Sequence, residues 1–290
     1  MVKKIIYGMA KLCDVNYGYG SKNQKIGFKP NKILKYLNDS KIIQGAEFSK
    51  RYKNSLKHIA NLKKKKIHYK IDNIPKQKSL VRDYIIEDVK DFFNKTNTKH
   101  IEVLYLHQNN INIISNPIVL KTLAKLVKEK KVKYIGVSIY TKRELDFAIK
   151  SKIIKVIQMS VNIADSYLYS RIKKSKKIIV ARSLFLQGAL INDISEHPKK
   201  EKILNYRKEI KKICEQNNIT YLEAITSYVF NLKMVDYVLI SSISKKNLAT
   251  IFKSIIQIDK KTLKLLYIKS KKLKSWANPV TWGINQYTGK

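Results

Sequence analysis

The chain has 290 residues and a formal net charge of +39, because 60 lysines and arginines outnumber 21 acidic residues. That length can bury a large core, and no apolar run approaches the roughly 18 residues of a membrane-spanning helix. The glycines and prolines are few and do not cluster. We therefore expect one domain over residues 1–290, with a tail from residue 276, and no signal peptide at the N-terminus.

The excess positive charge does not by itself predict nucleic-acid binding. Only six of the basic residues are arginines, and lysines recur between apolar positions along the whole chain. This composition resembles a bias toward A/T-rich codons and favours solvated lysine faces over a phosphate-binding groove. Cys13 and Cys214 are isolated, which fits a reducing cytoplasm and provides no disulfide framework. We expect a cytoplasmic protein with no specific nucleic-acid partner, no membrane partner and no metal site.

Short apolar runs rich in β-branched residues alternate with helical patterns along the chain, and each run predicts a strand. The predicted strands are Lys4–Gly8, Ile42–Phe48, Lys66–Ile71, Ile101–Leu106, Val132–Val137, Ile153–Gln158, Ile178–Arg182 and Val238–Ile240. A long polar loop follows the first strand and precedes a short helix that begins near Pro30.

The predicted helices are indicated by apolar spacing and by residues that cap helix starts. They cover residues 51–62, residues 79–93 with Ser79 as cap, a segment opening at Asn116-Pro117, and a segment around Ala164–Lys174. Capping-box pairs, Thr141 with Glu144 and Thr220 with Glu223, open two more. Ser244 caps a helix that runs toward Ile256, and a terminal helical segment precedes the tail.

Eight strands, most of them followed by a helix, predict a (β/α)₈ barrel. A doubly wound open sheet is the alternative, which is disfavoured because no strand leads into a GxGxxG or GxxxxGK[ST] turn. Barrels place functional side chains at the carboxyl ends of the strands. Polar residues stand at nearly every predicted end: Glu47, Tyr52, Lys70, His107, Ser138, Gln158, Arg182, Ser183 and the segment Ser241–Asn247.

Six segments of the sequence resemble the aldo-keto reductase family in their order and spacing. They are GAEFSKRYKNS (45–55), HYKI (68–71), VLYLHQ (103–108), KVKYIGVSIY (131–140), VIQMSVNIAD (156–165) and ARSLFLQGAL (181–190). The last two are similar to a bacterial branch whose genes often accompany surface-sugar biosynthesis. The resemblance implies a barrel enzyme that transfers hydride between a nicotinamide cofactor and a small aldehyde, ketone or sugar-derived carbonyl.

The resemblance also implies four catalytic residues. The family's tyrosine, lysine and histidine correspond to Tyr52, Lys70 and His107, and its aspartate is replaced by Glu47. A proton donor is needed where hydride creates an alkoxide, and an ammonium beside a tyrosine favours its phenolate. We expect Glu47 to pair with Lys70 in spite of its extra methylene, with reduced activity or a specialised substrate as the consequence. Lys53 replaces the glycine that usually follows the tyrosine.

Cofactor contacts are implied at three further places. Ser138 and Gln158 match the partners of the nicotinamide carboxamide, and Arg182, followed by Ser183, occupies the position that commonly stacks on its ring. Gln187 and Gly188 fall in the loop near the pyrophosphate. The segment SSISKKNL, which contains Ser242, Ser244, Lys245, Lys246 and Asn247, resembles the loop for the adenine-ribose phosphate. Basic residues at a helix start favour anions, so we expect NADPH in preference to NADH.

Two questions stay open at this level. The first is whether the barrel turns over a substrate efficiently or retains the cofactor as a weakly active regulatory protein. The second is the substrate, because its pocket would come from the first loop, the segment after His107 and the tail. Tyr17, Tyr19, Trp276 and Trp282 are candidates either for lining that pocket or for packing the core.

Overall fold

In a computed structural model of the chain, the described residues are 4–13, 30–52, 55–107, 110–172 and 175–282. Eight parallel strands close into a barrel in which each strand pairs with the next and the last pairs with the first. The predicted (β/α)₈ fold is confirmed. The strands are β1 Lys4–Gly8, β2 Ile43–Ser49, β3 Lys66–Ile71, β4 Ile101–Leu106, β5 Val132–Ser138, β6 Ile154–Ser160, β7 Ile178–Arg182 and β8 Tyr237–Ile240.

Ten α-helices are described in the same parts of the chain. They are α1 Ala10–Cys13, α2 Pro30–Asp39, α3 Lys78–Thr96, α4 Ile111–Ile114, α5 Pro117–Lys128, α6 Lys142–Lys150, α7 Lys200–Gln216, α8 Tyr221–Phe230, α9 Lys245–Lys253 and α10 Lys260–Ser270. No helix within the described ranges is both long and apolar enough to cross a bilayer. The predicted first loop, Tyr17, Tyr19 and Lys53 lie outside the described residues.

The predicted helix caps are observed at four helices. Both capping boxes are complete: Thr141 with Glu144 opens α6, and Thr220 with Glu223 opens α8. The side chain of Asn116 accepts a hydrogen bond from the Ile118 amide ahead of α5. The Ser244 side chain accepts one from the Asn247 amide at the start of α9. Each cap satisfies a backbone N–H that the helix leaves unbonded.

Two predicted helices are wrong in type. Of residues 51–62, the described ones (51, 52 and 55–62) contain a 3₁₀ turn, Ser55–Asn61, and no α-helix. The Ser55 hydroxyl donates to the Ser49 carbonyl at 2.7 Å and so ties this turn to β2. In the second segment, residues 164–172 are described, and they form turns and a 3₁₀ helix, Tyr169–Arg171, instead of an α-helix. There the Asn162 side chain accepts from the amides of residues 164 and 165, both at 2.9 Å, and this local turn competes with a helix.

Two smaller corrections concern helices on the outside of the barrel. α3 begins at Lys78 after Gln77, so Ser79 lies inside its first turn and is not the cap. α7 was not predicted, although Ile203, Tyr206, Ile210 and Cys214 are buried at helical spacing along it.

The core has an inner and an outer layer. Ile6, Val103, Tyr105, Val156 and Val180 pack together inside the barrel, and a much larger cluster lies between the strands and the helices. A Cβ on Gly136 would lie 2.5 Å from the Tyr105 ring, so a side chain there would require the ring to move. Along β4, Val103 and Tyr105 belong to the inner layer. Because strand side chains alternate, the next inward position after them is His107.

Candidate active site

A cleft of about 380 Å³ opens at the carboxyl ends of the strands. All four predicted catalytic residues line it, although they come from three strand ends and one turn. The lining also includes apolar side chains from the loops, among them Leu184, Phe185 and Ile191. A concave, largely preformed cavity with convergent polar groups is the usual form of a small-molecule site.

The pairing of Glu47 with Lys70 expected from the sequence is present. The two side chains are 1% and 3% exposed, and Lys70 Nζ lies 2.8 Å from Glu47 Oε1. The Gln158 side-chain amide donates to the other oxygen, Glu47 Oε2, at 2.5 Å. Burial raises the pKa of Glu47, but the Lys70 ammonium and the hydrogen bond from Gln158 outweigh it, and the net pKa is lowered. Glu47 is therefore a carboxylate at neutral pH and fixes the position of Lys70.

The side chains of Tyr52 and His107 are neighbours in the lining of the cleft. Tyr52 follows β2 in a turn in which its amide donates to the Ser49 carbonyl at 3.0 Å. Its ring meets that of His107 edge-on, with centroids 6.3 Å apart. Burial lowers the pKa of His107 to about 4, and the positive charge of Lys70 acts in the same direction. His107 is therefore neutral at physiological pH.

Asp72 and Arg51 are part of this site, and the sequence reasoning missed both. Asp72 Oδ2 lies 2.9 Å from Arg51 Nε and 3.5 Å from His107 Nδ1. Burial raises the pKa of Asp72, but its contacts with His107 and Arg51 lower it below the ordinary value. A carboxylate at this place favours a proton on Nδ1 of His107 and leaves Nε2 as an acceptor. The signal was present, since Asp72 follows Lys70 at the spacing of two that returns a chain to the same face.

Most of the predicted cofactor residues also line the cleft. They are Ser138, Arg182, Ser183, Gln187, Gly188, Ser242, Lys246 and Asn247. The Arg182 guanidinium lies over the Tyr140 ring, 4.4 Å from its centroid, and donates to the Ile139 carbonyl at 3.3 Å. It is thus held against the wall of the cleft by a cation–π contact and a hydrogen bond.

The loop after β7 has an unusual backbone. Ser183, Leu186, Gln187 and Gly188 have φ values of 62°, 48°, 54° and 97°. Left-handed φ is uncommon outside glycine, most of all for a bulky residue such as leucine. The Asn162 side chain donates to the Ser183 carbonyl at 3.0 Å and helps to hold the loop in place. Backbone strain of this kind often occurs at ligand-binding loops.

Gln158, Ser244 and Lys245 do not line the cleft. Ser244 caps α9, and Lys245 Nζ lies 5.8 Å from the centroid of the Tyr36 ring. Gln158 is fully buried, and its Oε1 has no hydrogen-bond partner among the described residues. The assignment of Oε1 and Nε2 follows from the bond to Glu47. A buried amide oxygen of this kind fits a ligand that brings an N–H donor, as a nicotinamide carboxamide does.

The two tryptophans of the tail pack against the body of the protein instead of lining the cleft. Trp282 donates from its indole nitrogen to the Trp276 carbonyl at 2.7 Å and contacts the His197 ring edge-on at 4.4 Å. Trp276 lies against Tyr206 with ring centroids 5.2 Å apart. Among the described residues of the tail, Pro279, which lies between the two tryptophans, lines the cleft.

A profile of the Aldo/keto reductase family matches residues 50–270, whereas no curated protein matches the sequence significantly. Similar solved structures include the glycerol dehydrogenase AKR11B4 from Gluconobacter oxydans, at 14% identity over 94% of both chains and a TM-score of 0.69. The aldo-keto reductase AKR11C1 from Bacillus halodurans, in its holo form, has 16% identity over 95% of both chains and a TM-score of 0.69. The thermostable aldo-keto reductase Tm1743, solved with the inhibitor epalrestat, has 18% identity over 92% of this chain and 94% of its own, with a TM-score of 0.69.

Proposed function

Because the chain belongs to the aldo/keto reductase family, we propose that it is an NADPH-dependent oxidoreductase of a small aldehyde, ketone or sugar-derived carbonyl. The observation that carries this proposal is the buried ion pair of Glu47 and Lys70 in the same cleft as Tyr52 and His107. A phenol, an ammonium and a neutral imidazole in one cleft supply what the reduction of a carbonyl needs: a proton, a nearby positive charge and an orienting group.

In this mechanism a bound nicotinamide cofactor supplies or accepts the hydride. Tyr52 gives its hydroxyl proton to the carbonyl oxygen, and the Lys70 ammonium stabilises the negative charge left on the tyrosine. Glu47 keeps Lys70 in position through the 2.8 Å ion pair. His107 is neutral, with Nδ1 toward Asp72, so its Nε2 orients the hydroxyl group of Tyr52 or of the alcohol by accepting a hydrogen bond.

The remaining residues of the cleft fit the cofactor. We assign the carboxamide to Ser138, which lines the cleft, and to Gln158 beside it on β6, whose Oε1 has no hydrogen-bond partner among the described residues. We assign the nicotinamide ring to the side of Arg182. The left-handed loop of residues 183–188 would approach the pyrophosphate. Lys246 and Asn247, at the amino end of α9, would hold the adenine-ribose phosphate, and this basic helix start supports NADPH over NADH.

The experiment is a fluorescence titration of the protein with NADPH and NADH at physiological salt, where surface attraction is screened, followed by a carbonyl screen. We expect saturable binding that is tighter for NADPH and is weakened by Lys246→Ala. Turnover of at least one aldehyde should fall by about 10²-fold or more in Tyr52→Phe, which keeps the ring and removes the proton. Absence of binding to either nucleotide would refute the proposal.

A second candidate is a barrel that binds the cofactor but turns it over weakly, as a regulatory protein. The Gln158 amide supports it, because it donates to Glu47 instead of being wholly available to a ligand. The same assay separates the two. Nucleotide binding without turnover of any carbonyl would favour the regulatory protein, and turnover that depends on Tyr52 would exclude it.

A further inference from the structure

Lys11 is a cation of the cleft that the proposed mechanism does not use. It lies on α1, immediately after β1, and lines the cleft together with Tyr52, Lys70 and His107. The Met9 amide donates to the Glu47 carbonyl at 3.0 Å, which fixes the end of β1 beside β2. α1 also contacts the turn Ser55–Asn61, which follows Tyr52. Lys11 is thus held on the side of the cleft that carries the proposed proton donor.

The ammonium of Lys11 differs from those of the other partly buried lysines. Burial lowers the pKa of four described lysines: Lys11, Lys65, Lys177 and Lys274. The last three donate to backbone carbonyl oxygens. Lys11 has neither a carbonyl acceptor nor an acidic partner within the described parts of the chain. Among the described residues, nothing replaces the hydration that this half-buried cation loses.

The charges of the cleft point in the same direction. Among the described residues that line it, Glu47 is the one acid, and Lys70 already neutralises it at 2.8 Å. Arg182 and Lys246 add further positive charge, and both lie among residues assigned above to the cofactor. Lys11 is therefore the cation that remains for another ligand, in a cleft whose field attracts anions.

We infer that Lys11 binds an anionic group, a carboxylate or a phosphate, carried by the carbonyl substrate. This rests on the proposed function and narrows it from carbonyl compounds in general to aldehydes or ketones with a negative charge near the carbonyl. The ion pair would give the half-buried ammonium a partner that none of the described residues provides. It would also anchor the substrate at a second point, so that its carbonyl is held toward Tyr52.

The test compares matched aldehydes that differ in charge: 4-carboxybenzaldehyde with methyl 4-formylbenzoate, and glyceraldehyde 3-phosphate with glyceraldehyde. The ratio of kcat/KM for the charged to the neutral member is measured for the wild-type protein and for Lys11→Met, which keeps an apolar stem. For at least one of the two pairs, we expect the wild-type protein to have the higher kcat/KM with the charged compound. The ratio for that pair should fall by about 10-fold or more in Lys11→Met. Lys35→Met, which removes an exposed lysine of α2, is the control for net charge.

Three results would overturn the inference. One is a charged-to-neutral ratio of kcat/KM that is equal in the wild-type protein and Lys11→Met. Another is a fall of that ratio in Lys35→Met as large as the fall in Lys11→Met. The third is a loss of NADPH affinity in Lys11→Met as large as the loss of kcat/KM, which would make the cofactor pyrophosphate the anion. If no compound is turned over, binding of benzoate and of inorganic phosphate is measured by calorimetry with NADPH present. Binding that Lys11→Met abolishes supports the anion site even when the proposed catalysis fails, and unchanged binding refutes it.

Discussion

Glu47 shows how one side chain can support a buried cation. Its carboxylate contacts Lys70 through one oxygen and Gln158 through the other, so both oxygens have a partner although the side chain is buried at the base of the cleft. The extra methylene relative to aspartate is accommodated without loss of the ion pair. A buried pair of this kind adds little net stability, but removing one partner leaves an uncompensated charge and is strongly destabilising.

From this we predict opposite effects of single and double substitutions. Glu47→Gln should lower the free energy of unfolding by about 3 kcal/mol, because the Lys70 ammonium loses its anion. Combining Glu47→Gln with Lys70→Met should recover most of that loss, but the double variant should not carry out the proposed carbonyl reduction, because it lacks the ammonium beside Tyr52. Urea denaturation and NADPH-dependent turnover measure the two effects. If the double variant is less stable than the single one, the unpaired Lys70 ammonium is not what destabilises Glu47→Gln.

At the residue scale, the sequence located the side chains that end strands and missed those that act from beside them. Glu47, Lys70 and His107 could be listed as polar residues near predicted strand ends, and the family resemblance implied their catalytic roles. Asp72 lies one residue beyond β3 and continues its spacing of two, whereas Arg51 lies two residues beyond β2, in a turn where no periodicity marks it. Their proximity to His107 depends on how two loops converge, which only the folded barrel determines.

At the element scale, prediction succeeded where a local interaction opens the helix. The capping boxes of α6 and α8 are complete hydrogen-bonded units of four residues, so they could be identified from the sequence. The helix predicted for Ala164–Lys174 was wrong because the Asn162 side chain stabilises a turn at its start. α7 was missed because four buried positions are spread among many lysines, with Lys199 as a cap that makes no side-chain hydrogen bond.

The hydroxyl caps of α9 and α8 allow an effect on stability to be distinguished from an effect on nucleotide binding. Ser244→Ala and Thr220→Ala each remove a hydroxyl that accepts from a backbone amide, at α9 and α8 respectively. Both should lower the free energy of unfolding by about 1 kcal/mol. Ser244→Ala should in addition weaken NADPH binding, because it loosens the helix start that carries Lys246 and Asn247. Equal nucleotide affinity in the two variants would remove α9 from the proposed cofactor site.

For the whole molecule, the large positive charge and the buried charges have different roles. We expect the excess of lysines to act mainly through weak, salt-sensitive attraction of polyanions. Stability against acid depends instead on the few groups that are buried uncharged or in pairs. Two of these are histidines of the barrel interior, His68 below and His107 at its carboxyl end, with burial lowering the pKa of each to about 4.

This arrangement predicts acid destabilisation in a defined pH range. The two histidines bind protons in the unfolded chain near pH 6.5, their ordinary value, but in the folded protein only near pH 4. The two histidines therefore contribute fully to the free energy of unfolding above about pH 6.5. This contribution is lost as the pH falls toward 4, by about 3 kcal/mol for each histidine at pH 4. Urea denaturation between pH 7.5 and 4 measures this loss.

His68→Gln, outside the proposed catalytic residues, should reduce the loss by about half, whereas His100→Gln, at an exposed position, should leave it as in the wild-type protein. If His68→Gln loses stability with pH as steeply as the wild-type protein, the buried imidazole of His68 is not what makes the barrel acid-sensitive.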